Sequence, residues 1–313
     1  MGKTVLIVGP GAVGSCLAAY ASRQGKEVYI LGSSLKSDKR LIHQGILFQK
    51  VSGRKFKIRR NIFCARDFKS PLPLSAAFFC VKNSDVFSAA KAASQYLSSD
   101  TPVVFFQNGL NHPAIARKCF NSQSIVIGTC YAAAEKTSPE GVIVHHGGKN
   151  MVLARNKDNQ RAVNKVSSLL SKDGWNVSVE NNEEKMLWTK LCLNASINPL
   201  GALAKATNGE ITSLPELKII ADRIMEESLS VSESCGKKIS KKEMGRLFLK
   251  ACPPNSRQKN STLQDLEKGR KTEIRQILNP ILLQAEKGNV KIPVLKRISR
   301  MIFQLEDYVS RGF

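Results

Sequence analysis

Residues 4–31 read TVLIVGPGAVGSCLAAYASRQGKEVYIL, and this stretch decides the fold. TVLIV (4–8) is a continuous apolar, β-branched run, the pattern of a strand buried on both faces. Gly9-Pro10-Gly11-Ala12-Val13-Gly14 follows, then a helix of small residues, SCLAAYASRQG, and a second strand, EVYIL, at 27–31. A β–turn–α–β unit of about 30 residues is the context that gives GxGxxG meaning. Gly9 permits the tight turn, Gly11 lets the backbone approach a pyrophosphate, and Gly14 lets helix and strand pack closely. The helix N-terminus, at Ala12 and Val13, offers amide donors and a positive dipole end to phosphates.

Further buried strands extend the pattern. AAFFCV (76–81) ends in Lys82-Asn83, PVVFF (102–106) ends in Gln107-Asn108-Gly109, and SIVIG (124–128) ends in Thr129. Helical stretches near 84–98 and 112–119 separate them. Alternating β and α with apolar strands predicts a Rossmann-type, doubly wound parallel sheet covered on both faces. GVIVHH (141–146) and MVLAR (151–155), separated by GGKN, read as a hairpin. A helix near 159–172 and WNVSV (175–179) complete the first domain, predicted to span 1–180. From 181 to 313 only periodic helices follow, at about 182–205, 214–235, 240–251, 262–286 and 293–310, predicting an all-α second domain. The short connection predicts a cleft shared by the two.

Composition sets limits. With 48 Lys+Arg against 25 Asp+Glu, the formal charge is +23. The excess is spread along the chain. It is densest in VSGRKFKIRRN (51–61), which reads as a hairpin with an exposed basic face. No RNA or DNA motif and no array of stacking aromatics accompanies it, so nucleic acid is a disfavoured partner. No apolar run approaches the roughly 18 residues of a spanning helix, and the N-terminal apolar run is too short for a signal-peptide core. These features predict a cytoplasmic protein without a membrane partner. The eight cysteines include no CxxC pair and read as reduced, buried thiols. His145 and His146 are adjacent on a strand and point to opposite faces, and no metal site is visible.

The second strand exits as Leu31-Gly32-Ser33-Ser34-Leu35-Lys36. NAD enzymes carry an acid near this point for the ribose 2′-hydroxyl. No carboxylate stands at this exit, whereas Ser33, Ser34 and Lys36 offer hydroxyls and a cation to a 2′-phosphate. The expected cofactor is NADPH.

KLCLNASIN (190–198) carries Lys190, Asn194 and Asn198 at four-residue steps. Four residues advance a helix by about 400°, so the three share one face. Apolar residues cover most of the remaining circumference. Asparagine is a poor helix former, and a buried amide needs partners. Pro199 is expected to kink or end the helix just past Asn198. The stripe reads either as solvent-facing or as a polar stripe facing the cleft. In the second case the lysine acts as donor and acid and the amides grip a carboxylate or carbonyl.

The GxGxxG start, FFCVK, FFQNG, LWTKLCLNASINPLGAL, TNGE (207–210) and STLQDLEKGRKTEI (261–274) together resemble ketopantoate reductase, the NADPH-dependent 2-dehydropantoate 2-reductase family of the pantothenate and coenzyme A route. The resemblance covers nearly the whole chain in order. It implies Lys190 as general acid. It implies Asn194, Asn198 and Asn208 as substrate-pocket residues, and Glu273 as the holder of the substrate hydroxyl. Ser261 falls where the family binds the substrate carboxylate, and Lys82 and Asn108 at strand ends contact cofactor and active site. It also implies an arginine at the second-strand exit, where this chain has Ser33. From the residues alone, Ser261 also fits an N-cap opening S-x-x-Q, Asn208-Gly209 a turn, Glu273 a surface ion pair with Lys271 or Arg275, and Lys82 a solvated strand end. The expected partner is a small 2-oxo acid, and the expected assembly a monomer or homodimer. A paralogue acting on another 2-oxo acid, a non-catalytic nucleotide sensor, or a nucleic-acid binder are the other function classes.

Overall fold

The computed structural model describes residues 4–50, 52–68, 71–137 and 141–311. Two compact units emerge, one of residues 1–107 and 111–183, the other of residues 108–110 and 184–313.

In the first unit the elements are β1 (Thr4–Val8), α1 (Ala12–Arg23), β2 (Glu27–Leu31), α2 (Leu35–Gln44), β3 (Ile46–Gln49), β4 (Lys55–Ile58), β5 (Ile62–Cys64), β6 (Ala76–Phe79), α3 (Val86–Ala93), β7 (Val103–Phe105), α4 (His112–Cys119), β8 (Ile125–Cys130), β9 (Ala133–Lys136), β10 (Ile143–Gly147), β11 (Asn150–Ala154), α5 (Gln160–Lys172) and β12 (Asn176–Glu180). The main sheet has the order β12-β11-β8-β7-β6-β1-β2-β5. Its pairings are parallel except β11 against β8. β1, β6 and β7 are buried at every position, as expected for strands covered on both faces.

A second sheet, β4-β3-β10-β9, explains the small side chains of α1. That helix contacts β1 and β2 on one side and β3, β4, β9 and β10 on the other. Gly14 through Ser22 are all buried, because a helix between two sheets has little outward face. Ile46, Phe48, Ile58 and Ile143 join Cys16, Leu17 and Tyr20 in one core.

Two expected hairpins are revised. The basic hairpin is β3–β4, spanning 46–58, with a turn closed by Gly53 N–H to Lys50 O at 2.9 Å. Residues 62–64 leave it to pair with β2 in the main sheet. The segment 141–155 is not a hairpin: β10 pairs with β3 and β9, whereas β11 pairs with β8 and β12. The ladder slips between His145 and Gly147. Gly148 then takes φ +70°, where a Cβ would stand 2.1 Å from Tyr131 O, so the chain turns sharply and changes sheets.

The second unit is helical: α6 (Glu183–Leu203), α7 (Asn208–Ser213), α8 (Pro215–Ser234), α9 (Lys241–Ala251), α10 (Ser261–Glu267), α11 (Ile274–Lys287) and α12 (Pro293–Ser310). Pro199 does not end α6. The missing proline N–H removes one rung of the ladder, but Ile197, Leu200, Gly201 and Ala202 are buried and packing carries the helix one turn further. It stops where Lys205 adopts φ 52° and Ala206 N–H returns to Gly201 O at 2.9 Å, a Schellman-type ending. The single helix expected over 262–286 is broken at 268–273. Gly269 takes φ +61°. Thr272 is held by the buried Glu306 carboxylate, which accepts its N–H at 3.1 Å and its hydroxyl. This break makes Glu273 the residue that opens α11. Among the described residues no helix is long and apolar enough to cross a membrane.

Candidate active site

The glycine loop is built by close contact. Gly9 has φ +89°, and a Cβ there would meet Val81 Cγ1 at 2.6 Å and Val81 N at 2.8 Å. Its N–H donates to Leu31 O at 2.9 Å, and its carbonyl accepts Gly11 N–H at 2.8 Å. At Gly14 a Cβ would fall 2.2 Å from Gly9 O and 3.1 Å from both Cys80 Cβ and Ile7 Cγ2. Gly11 differs: a Cβ there meets no protein atom within 4 Å. Packing therefore requires glycine at 9 and 14 but not at 11. Gly11 is the N-cap of α1 and supplies no side-chain acceptor to the first-turn amides. With Ala12, Val13 and Gly14 following, bare backbone at a helix N-terminus fits the pyrophosphate of a dinucleotide.

The second-strand exit differs from its sequence reading. Ser34 caps α2 through a capping box: its Oγ accepts Ser37 N–H at 3.2 Å, and Ser37 Oγ accepts Ser34 N–H at 3.3 Å. Ser33, Ser34 and Lys36 are exposed. A carboxylate does stand here. Asp38, 0% exposed, accepts Gly32 N–H at 2.9 Å and Arg66 Nε at 3.1 Å. It lies seven positions past the strand, inside α2 and beyond the exit itself. Lys82 follows β6 and precedes a short 3₁₀ turn at 83–85. Gln107, named in the sequence only as a strand end, donates from Nε2 to Phe79 O at 2.8 Å and Val81 O at 3.2 Å. It ties the loop after β6 to the end of β7. Its Oε1 is buried without a hydrogen-bond partner.

In the second unit, three of the expected residues are hydrogen-bonded in a row. Asn194 Nδ2 donates to Asn108 Oδ1 at 3.0 Å, and Asn108 Nδ2 donates to Glu273 Oε2 at 3.1 Å. The row fixes both amide orientations: each gives an N–H toward the carboxylate end. Glu273 stands at the N-terminus of α11. Lys190 and Asn198 flank Asn194 one turn to either side on α6, and Asn198 is 5% exposed. Arg275 is drawn away from Glu273 to Glu306 at 3.0 Å and Asp307 at 2.6 Å.

Asn208 and Ser261 are not hydrogen-bonded into that row. Asn208 opens α7 and is not part of a tight turn. Its N–H donates to Gln258 O at 2.7 Å and its Nδ2 to Ala251 O at 3.2 Å, while its buried Oδ1 has no partner. Ser261 is exposed and is not the N-cap of α10. Asn260 holds that position and accepts Leu263 N–H at 3.1 Å. Among the described residues no group of His, Cys, Asp and Glu could hold a metal ion. The basic hairpin gathers Arg23 and Arg54 onto the Phe56 ring, 4.2 and 5.0 Å from its centroid, with Lys50 at 5.6 Å. The Arg23 guanidinium beside it is the main cause that lowers the Lys50 pKa.

The chain is similar to known proteins over nearly its full length. Residues 5–158 match the family described as ketopantoate reductase PanE/ApbA, and residues 182–306 its C-terminal domain. The 2-dehydropantoate 2-reductase of Halobacterium salinarum is 25% identical over 299 residues, covering 95% of this chain and 97% of its own. Among solved structures, the PanE/ApbA family ketopantoate reductase of Ralstonia eutropha superposes with a TM-score of 0.80 at 23% identity, covering 98% and 99% of the two chains. D-mandelate dehydrogenase, solved with NADH and anilino(oxo)acetate, gives 0.86 at 19% identity over 98% and 99%. With both of its domains matched in order, this chain belongs to the ketopantoate reductase family of oxidoreductases.

Proposed function

We propose that the protein reduces 2-dehydropantoate to pantoate with NADPH, Lys190 acting as general acid. The observation that carries this reading is the row Asn194–Asn108–Glu273, one helical turn from Lys190, in a member of the ketopantoate reductase family. The NADH of D-mandelate dehydrogenase, a protein of the same fold, supports a nicotinamide cofactor. Gly9, Gly11, Ala12, Val13 and Gly14 would hold its pyrophosphate, with Ser33, Ser34, Lys36 and Lys82 along the strand ends.

A reduced nicotinamide held there would supply the hydride for the C2 carbonyl carbon of the substrate. The Lys190 ammonium donates a proton to the carbonyl oxygen as it gains charge, which both stabilises that charge and completes the alcohol. Asn194 and Asn198 present amides to the substrate's oxygens, with Asn208 and Ser261 completing the pocket. Glu273 accepts the substrate hydroxyl, and Asn108 fixes the carboxylate's orientation.

The test is oxidation of NADPH with 2-dehydropantoate, followed by absorbance, with NADH and other 2-oxo acids in parallel. Lys190→Ala is expected to lower turnover by about 10²–10⁴-fold, the usual loss for a general acid. A folded Lys190→Ala protein with undiminished turnover would remove the lysine from its role. Turnover confined to another 2-oxo acid would move the substrate and keep the mechanism.

A further inference from the structure

We infer that Arg66 selects for the 2′-phosphorylated dinucleotide, entering the ribose end of the site from β5 and not from the second-strand exit. This inference rests on the NADPH reading above and deepens it.

The topology brings Arg66 there. β2 and β5 are parallel neighbours, with Val28 opposite Ile62 and Ile30 opposite Cys64, so their carboxyl ends finish side by side. Gly32 follows one strand and Arg66 the other. Arg66 Nη2 donates to Gly32 O at 2.8 Å, and Arg66 Nε donates to Asp38 Oδ2 at 3.1 Å. Asp38 Oδ1 closes the ring by accepting Gly32 N–H at 2.9 Å. Gly32 has no room for a side chain, since a Cβ would lie 2.2 Å from Asp38 Oδ1.

Two consequences follow from this ring. The Asp38 side chain is 0% exposed and both its oxygens accept hydrogen bonds. It therefore cannot serve as the ribose acceptor that an acid near this point provides in NAD enzymes. Its carboxylate instead aims a guanidinium. The Arg66 side chain remains 27% exposed, and its Nη1 makes no hydrogen bond among the described residues. A guanidinium fixed on two of its edges and open on the third presents oriented donors, which suits phosphate. Lys36 and Arg40, both exposed on α2, add positive charge on the same turn. An arginine near the second-strand exit is what accommodates a 2′-phosphate in this fold class. Here the strand order supplies one although the exit itself reads Ser33-Ser34.

A guanidinium that only braced the turn would affect both cofactors alike, and this separates the two roles. The experiment is calorimetric titration of NADPH and NADH into the wild type, Arg66→Gln, and the double variant Asp38→Asn/Arg66→Gln. The double variant removes the buried carboxylate that the single one leaves without a counter-charge, so the result survives if Arg66→Gln folds poorly. The expected result is a loss of NADPH affinity of about 10–100-fold with NADH affinity changed by less than about threefold. An unchanged NADPH-to-NADH ratio in the double variant, in a protein whose wild type prefers NADPH, overturns the role of Arg66 alone. A wild type that binds NADPH no better than NADH overturns the NADPH reading itself, and this inference with it.

Discussion

Alanine at Gly14 and alanine at Gly11 are expected to fail in opposite ways. At Gly14 the added methyl would fall 2.2 Å from Gly9 O, with Cys80 Cβ and Ile7 Cγ2 at 3.1 Å closing the lateral escape. Reaching ordinary contact, roughly 3.5 Å, requires a shift of about 1 Å. The whole of α1 must take it up, and Gly14 through Ser22 are buried between two sheets. Overpacking of this kind costs about 1–3 kcal/mol, against which alanine's better helix propensity returns about 1 kcal/mol. The net loss is about 0–2 kcal/mol, or up to roughly 8 °C in Tm for a unit of this size. At Gly11 the methyl meets no protein atom within 4 Å, and the residue has φ −72°. Gly11→Ala should keep stability within about 0.5 kcal/mol and lose dinucleotide affinity. Thermal unfolding followed by near-UV circular dichroism, with NADPH titration of both variants, distinguishes the two. A Gly11→Ala protein that binds NADPH like the wild type would refute the placement of the pyrophosphate. A Gly14→Ala protein of raised Tm would refute the packing argument.

Two further outcomes concern buried charge. His112 is fully buried with both ring nitrogens unpartnered, and burial, helped by Arg117, pushes its pKa down to about 3. The unfolded chain takes up a proton near pH 6.5 and the folded chain only near 3, so the stability this neutral ring contributes is complete above 6.5 and is lost progressively below it. At pH 5 the loss is about 2 kcal/mol. Urea unfolding at pH 7 and pH 5 should show it, and His112→Leu should reduce it; an equal loss in that variant would locate the effect elsewhere. Lys26, 7% exposed, pairs with Asp173, 4% exposed. Lys26→Met strands the carboxylate and is expected to cost about 3–5 kcal/mol, much of it recovered in Lys26→Met/Asp173→Leu. If denaturant midpoints for the single and double variants coincide, the pair is not what holds that corner.

The parts of the fold that the sequence made legible are those where one local pattern has one structural solution. β1, the glycine loop, α1 and β2 could be read from 28 consecutive residues, and the buried parallel strands from their unbroken apolar runs. The segment 141–155 misled because β10 and β11 each look like one arm of a hairpin. Their separation depends on a slipped ladder at His145–Gly147 and on strands far away in sequence. The break at 268–273 was hidden for a similar reason, since Glu306 holds Thr272 from 34 residues away. The lysine and amide stripe of α6 was visible by spacing. Its pairing with Asn108 across 86 residues was not, and neither was the ring of Gly32, Asp38 and Arg66. Ser261 shows the reverse limit: S-x-x-Q is a fair capping pattern, but the residue before it, Asn260, reaches the amide first.

The cations gathered at Phe56 bear on how the chain responds to its ionic surroundings. Arg23, Lys50 and Arg54 crowd around one aromatic ring, and their mutual repulsion works against the folded hairpin. Dissolved ions shield such repulsion over a Debye length of about 10 Å at 0.1 M. Added salt should therefore favour the closed hairpin, the opposite of its action on an exposed ion pair.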